Sequence, residues 1–199
     1  MSERFILASK SGIRSQLLRN AGIKFSAESA RIDEEAIKLS MIHENAHPRD
    51  VADALAETKA RKVAARNPDA LVLGCDQVLS AQGRLFSKPA NQQDAVSQLK
   101  KLRGSTHQLY SAAVLYEEAK PVWRHIGQVR LTMRNASDDY IEDYVHRNWE
   151  SIRHSVGAYK LEEEGVRFFS RIDGDYFTVL GMPLLELLSY LTLRGTLPT

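Results

Sequence analysis

Residues 72–89, VLGCDQVLSAQGRLFSKP, decide how this chain is read. Together with Ala70 and Leu71 they begin a near-continuous apolar run, ALVLGCDQVL, the pattern of a central strand covered on both faces. Periodicity alone leaves a buried helical segment open. Asp76 and Gln77 interrupt the run, a turn at Gly83 follows, and Lys88-Pro89 comes just beyond. Burying an unpaired carboxylate costs on the order of several kcal/mol. Asp76 therefore either makes a local Asx turn at a strand end or is compensated by a cation, a metal or a substrate. The second reading makes it a general base or metal ligand at the carboxyl edge of a sheet, where open α/β folds place their ligands.

Working outward, two lysines flank this strand. Pro48 opens RDVADALAETKARKVAAR, whose apolar positions 51, 52, 55, 56, 60, 63 and 64 follow the helical period, and Lys59 falls inside that stripe. It either snorkels, with its stem buried and its ammonium in water, or serves a site. Lys88 is either solvated in its loop or aimed by the rigid Pro89 after it. One carboxylate and two cations thus lie on successive elements.

Toward the N-terminus, FILAS at 5–9 reads as a strand, Ser11 as an N-cap, GIRSQLLRNA as a helix and Gly22 as its stop. Ser9, Ser11 and Arg14 surround this strand-to-helix turn, where free N–H groups and the helix dipole favour an anion and Arg14 would clamp it. Plain N-capping with a surface arginine is the other reading. The run IDEE at 32–35 is either a solvated acidic turn or the carboxylates that hold a divalent cation. HENAH at 43–47 satisfies H-E-x-x-H, the zinc-protease helix motif, but Pro48 pushes His47 out of helical geometry and no third histidine follows at the required spacing.

Downstream, Asn91 caps a helix over QQDAVSQLKKLR, with Asp94 three residues on and Gly104 closing it. HQLYSAAVLYE and WRHIGQVRLTMR read as strands, and Ser137 caps DDYIEDYVHRNW. FFSRIDGDYFTVLG is expected to be a hairpin turning at Asp173-Gly174, and Met182-Pro183 to start a Leu-rich terminal helix. Strands alternating with helices, plus a hairpin, predict an α/β fold with a mixed central sheet flanked by helices, in one domain over residues 1–199.

With 43% hydrophobic and 26% charged residues, 199 residues suffice for one large domain or two small lobes sharing a core. The net charge of +2 is dispersed, so no duplex-binding surface is expected, whereas a small anionic ligand is compatible. Cys75 is the only cysteine, which excludes an internal disulfide framework and fits a reducing compartment. The N-terminal apolar run is too short for a secretory signal, and no stretch approaches the roughly 20 apolar residues of a membrane span. A soluble cytoplasmic protein without membrane or nucleic-acid partners is the expectation.

The chain resembles the Maf-like nucleoside triphosphate pyrophosphatases over nearly its whole length. The segments ILASKSGIRSQLLRNAGIKF, ARIDE, LAETKA, LVLGCDQVLSAQGRLFSKP, SVGAYKLE and IDGDYFTVLGMPLLELL occur in the family's order. The resemblance implies a two-lobed fold of the Maf and inosine-triphosphatase type with a nucleotide cleft between lobes. It also implies a divalent cation, Mg²⁺ or Mn²⁺, and cleavage of an ordinary, modified or non-standard nucleoside triphosphate to monophosphate and pyrophosphate. A homodimer is what the family suggests.

Carried over by position, Asp76 matches the family's proton acceptor, Lys59 and Lys88 its phosphate-facing lysines, and Glu34 its acidic site residue, which shares the metal with Asp76. Ser9 and Arg14 match its N-terminal phosphate loop. Gln77 and Glu162 stand at specificity positions and match the subgroup acting on 7-methylguanosine triphosphate better than the thymidine and uridine triphosphatases, which have Thr and Gln there. Two positions depart from the common pattern: Ile13, where many members have arginine, and Glu163, where glycine is common. These departures motivate an alternative, a nucleotide-binding regulator of cell division that does not turn its ligand over.

Overall fold

The computed structural model describes residues 4–198. Its elements are, in order, β1 (Arg4–Leu7), α1 (Gly12–Asn20), β2 (Ser26–Ala27), α2 (Glu34–His43), α3 (Pro48–Ala64), β3 (Ala70–Ala81) and β4 (Arg84–Phe86). After them come α4 (Gln92–Leu102), β5 (Thr106–Glu117), β6 (Lys120–Met133), α5 (Asp138–Ile152), β7 (Phe169–Asp173), α6 (Tyr176–Val179) and α7 (Leu184–Leu193). The strands hydrogen-bond in the order β2-β1-β3-β5-β6-β7, with β4 paired to β3. β1 lies parallel to both β2 and β3, whereas β3–β4 and β6–β7 are antiparallel, so the sheet is mixed as expected.

The chain folds as two compact units. The first takes residues up to Gln77, Tyr110–Gly127 and everything from Asp175; the second takes Val78–Leu109 and Gln128–Gly174. β3, β5 and β6 each begin in one unit and end in the other.

In the first unit the alternation of β3 sorts its two faces. Leu71, Leu73 and Cys75 join a core with Leu17 and Leu18 of α1 and Leu184, Leu187 and Leu191 of α7. Ile13 packs against the same core, so the residue at this departure from the family pattern is a packing residue. Gly74 points to the opposite face, with Asp76 two residues on and therefore on the same side. There α3 lies against the strand with Ala52, Ala56, Ala60 and Ala64, small residues four apart that let a helix approach closely. A Cβ on Gly74 would meet the Ala56 carbonyl oxygen at 2.1 Å and the Ala60 backbone nitrogen at 2.7 Å. This glycine is required for lack of space.

The caps follow the sequence. Ser11, Asn91 and Ser137 each accept a backbone N–H of their helix, and Pro48 stands at the start of α3. β3 runs two residues beyond the expected Leu79, because Leu79–Ala81 pair with β4 across the Gln82-Gly83 turn. β5 and β6 are joined through Glu118 and Ala119, both at positive φ (47° and 61°), as a two-residue hairpin turn requires.

Two expectations need correction. The stretch FFSRIDGDYFTVLG is not a hairpin: Phe169–Asp173 pairs with β6, and the chain then enters α6. Gly174 does take a positive φ, 137°, but Asp175 captures the N–H groups of Phe177 and Thr178 and so caps a helix where a return strand was expected. The IDEE run, of which a solvated turn is one of the two readings, is likewise a helix start. Asp33 accepts the Ala36 N–H at 3.0 Å, placing Glu34 and Glu35 in the first turn of α2. Among the described residues no helix is long and apolar enough to cross a membrane.

Because backbone atoms block the space, Gly74→Ala is expected to lower the unfolding free energy by about 3 kcal/mol or more, beyond an ordinary strand substitution. Urea unfolding of the two proteins measures it.

Candidate active site

The first unit assembles the polar breaks of its sequence into one group. Lys59 is buried in the apolar stripe of α3, and Asp76 is buried on the same face of β3 as Gly74; they are 7% and 5% exposed. Lys59 Nζ donates to Asp76 Oδ1 at 2.5 Å and lies 2.8 Å from Glu34 Oε1. Asp76 is therefore a compensated carboxylate and not an Asx turn, and Lys59 does not snorkel. Asp76 also lies three residues past Leu73, the last partner of the parallel β1, where such a sheet opens at its carboxyl side.

Cys75, on the face of β3 opposite to Asp76, has its thiol pushed up to about 11 by burial, so it is a neutral packing group. Its backbone carbonyl accepts Arg14 Nη1 at 3.0 Å, while Arg14 Nε donates to the Gly181 carbonyl at 2.8 Å. Arg14 Nη1 also reaches Ser9 Oγ at 3.5 Å, and Ser9 Oγ accepts the Ser11 N–H. Arg14 thus ties the loop after β1 to β3, and its remaining terminal nitrogen, Nη2, is the one through which it can meet a ligand.

Gln77 is held equally firmly. Its Nε2 donates to Ser111 Oγ (3.0 Å) and to the Thr178 and Val179 carbonyls (3.1 and 2.9 Å), acceptors that settle which end of the amide is nitrogen. Any ligand contact made by Gln77 goes through Oε1. Ser111 and Thr178 were invisible to sequence reading, because one sits inside an apolar strand run and the other in a supposed hairpin.

The second unit carries the remaining predicted residues. Lys88 is exposed in the loop between β4 and α4, beside the buried Pro89, and no acceptor among the described residues holds its ammonium. Glu162 is exposed in the turn after the Gly157-Ala158-Tyr159 segment, with no hydrogen bond or ion pair among the described residues. Its two successors are both committed. Glu163 accepts from Ser151 and pairs with Lys160, and Glu164 is held by Arg147 at 2.6 and 2.9 Å and by Asn148 at 3.1 Å. Hydrogen bonds from Arg147 hold the Glu164 carboxyl far down, to about 2.

The H-E-x-x-H match dissolves into two elements. His43 ends α2, and His47 caps α3 by accepting the Arg49 N–H on Nδ1. Among the described residues no three His, Cys, Asp or Glu side chains group as metal ligands. Glu34 and Asp76 nevertheless deliver one oxygen each to a single ammonium, a donor pair of the kind Mg²⁺ takes alongside substrate phosphates.

A mixed α/β sheet that carries a buried Lys59–Asp76 pair, with the partly exposed Glu34 on the same ammonium, beyond the end of its parallel strands makes the chain an α/β protein with a polar site at the carboxyl edge of its sheet. More narrowly, it belongs to the Maf-like family: residues 4–193 match the family described as Maf-like protein. It is 63% identical over 198 residues to the nucleoside triphosphate pyrophosphatase of Roseobacter denitrificans, covering 100% of both chains. The protein of the same name from Ruegeria pomeroyi is 60% identical, also with 100% of both chains covered. The 7-methyl-GTP pyrophosphatase of Brucella abortus is 48% identical, over 96% of each.

The segment ahead of Glu162 is anchored by a buried pair that the sequence reading passed over: His107 Nε2 and the Tyr159 hydroxyl lie 2.7 Å apart. Burial pulls the His107 imidazole down to about 4, against an ordinary 6.5. The unfolded chain then binds the extra proton between these values, so stability is lost as pH falls from about 6.5 to about 4, by about 3 kcal/mol in all. His107→Gln, which keeps a partner for Tyr159, is expected to flatten this acid limb. Urea unfolding at pH 7, 5.5 and 4.5 checks it.

Proposed function

We propose that this protein hydrolyses nucleoside triphosphates to the monophosphate and pyrophosphate. The observation that carries the proposal is the buried Lys59–Asp76 pair with Glu34 on the same ammonium, in a chain 60–63% identical to full-length relatives bearing the pyrophosphatase name. Asp76 accepts the proton of a water as its oxygen bonds to the α-phosphorus, and the bond from that phosphorus to the bridging oxygen breaks, releasing pyrophosphate. Lys59 holds the Asp76 carboxylate in place and supplies positive charge beside the reacting phosphate. Nη2 of Arg14 and the Ser9 hydroxyl bind phosphate oxygens.

Glu34 and Asp76 are the residues that would hold a Mg²⁺ or Mn²⁺, and such an ion would neutralise charge on the phosphate oxygens. The regulator reading drew on Ile13 and Glu163. The first packs in the core and the second is engaged by Ser151 and Lys160, so neither departure removes a member of the Asp76 group.

Asp76→Asn keeps the shape and removes the base, and is expected to lower turnover by at least about a hundredfold while nucleotide binding persists. Wild-type reaction in ¹⁸O-water is expected to label the monophosphate and leave pyrophosphate unlabelled. Inorganic phosphate and diphosphate as first products would reject the reaction.

For the base, we propose a guanine-type substrate read by Glu162. A carboxylate accepts hydrogen bonds and donates none, which suits the N1–H and amino group of guanine, whereas uracil and thymine offer one donor. A 7-methyl group adds positive charge to the ring, which a carboxylate favours further. GTP and 7-methyl-GTP are expected to exceed UTP in kcat/KM by about tenfold to a hundredfold, and Glu162→Gln to narrow that ratio. A pyrimidine preference, or a ratio indifferent to Glu162→Gln, removes Glu162 from this role.

A further inference from the structure

Glu163 directly follows Glu162, and the structure shows what its side chain does. Residues 160–163 form a tight turn in which the Glu163 N–H points back to the Lys160 carbonyl, 3.4 Å away. Side chains close the same turn a second time. Lys160 Nζ donates to Ser151 Oγ at 2.7 Å, the Ser151 hydroxyl donates to the Glu163 carboxylate at 2.6 Å, and that carboxylate pairs with Lys160 at 3.0 Å. Ser151 lies in the last turn of α5, so the clasp fastens the turn to a helix.

Within the turn the two central residues have opposite fates. Leu161 is buried, while Glu162 projects as an exposed carboxylate with no partner among the described residues. Glu164 next in line is itself fastened to α5 by Arg147 and Asn148. Of three successive glutamates, two are spent on holding the backbone and one is presented. A glycine at 163 leaves the backbone contact but deletes the side-chain clasp and adds conformational freedom next to Glu162.

We propose that Glu163, through Ser151 and Lys160, is a positioning residue that holds the 160–163 turn and so sets the direction of Glu162 toward a guanine-type base. This rests on the reading of Glu162 as the base-contacting residue. The carboxylate at 163 is engaged by Ser151 and Lys160, which leaves Glu162 as the uncommitted carboxylate of the turn.

The test compares kcat/KM for GTP and UTP in wild type, Glu163→Gly, Glu163→Gln, Ser151→Ala and Glu162→Gln, with Tm measured for each. Glu163→Gly is expected to lower the GTP-to-UTP ratio by about threefold to tenfold, the worth of one hydrogen bond, mainly through a higher KM for GTP. Ser151→Ala should act in the same direction, and Glu163→Gln, which still accepts from Ser151, should retain more of the ratio than Glu163→Gly. A purely structural clasp would lower Tm and leave the ratio alone, and that result overturns the inference. If Glu162→Gln collapses the ratio while Glu163→Gly and Ser151→Ala do not, the positioning role fails and the base reading stands. If Glu162→Gln leaves the ratio unchanged, the base reading fails and takes the inference with it. Should Glu163→Gly not fold, Ser151→Ala, which deletes one hydroxyl, decides by itself.

Discussion

The close approach of α3 to β3 at Gly74 is the constraint on which the rest of the first unit depends. A helix normally stands off a sheet by the thickness of its side chains, but the alanine row of α3 meets a strand position with no side chain at all. At that separation a lysine one turn along the helix reaches a carboxylate two residues along the strand. Lys59 and Asp76 can then be buried together, each removing the penalty the other would incur alone, whereas either one left unpaired would be costly. Packing and chemistry are here the same contact, made by Ala56, Ala60 and Gly74 on one side and used by Lys59 and Asp76 on the other.

Around that pair the first unit spends polar side chains on rigidity. Arg14 ties the β1–α1 loop to β3 and to the Gly181 turn, and Gln77 reaches Ser111 and the last two residues of α6. The groups nearest Asp76 in sequence are consequently held by several strands and loops at once, as preorganised charge stabilisation requires. The second unit works by the same economy with acidic residues. Glu163 and Glu164 are anchored to α5, and the anchoring isolates Glu162 as the exposed member.

Much of this was legible in the chain. Caps at Ser11, Asn91 and Ser137, Pro48 at the start of α3 and the apolar run of β3 rest on local rules, and local rules held there. Asp76 and Lys59 stood out because each broke the period of its own element. The misreading at Asp173–Gly181 came from competing local signals: Asp-Gly is a hairpin signal, but Asp175 next to it is also an N-cap, and only pairing of Phe169–Asp173 with β6 decides between them. His107, Ser111 and Thr178 gave no signal, since a polar residue inside an apolar run looks the same whether or not a distant partner satisfies it.

By itself the sequence determined the fold class, the starts of α1, α3, α4 and α5, the strand at the centre and the identity of the carboxylate and ammonium groups, because periodicity, capping and turn chemistry act over a few neighbouring residues. Only the tertiary structure decided how those groups are used. That Lys59 meets both Asp76 and Glu34, that Arg14 and Gln77 are committed to backbone carbonyls, and that Glu163 is clasped while Glu162 is left exposed all depend on contacts between residues far apart in the chain. A side chain's chemistry is written in its own residue. Its partner is set by which backbone segments pack closely enough to bring one within about 3 Å, a distance that no local pattern encodes.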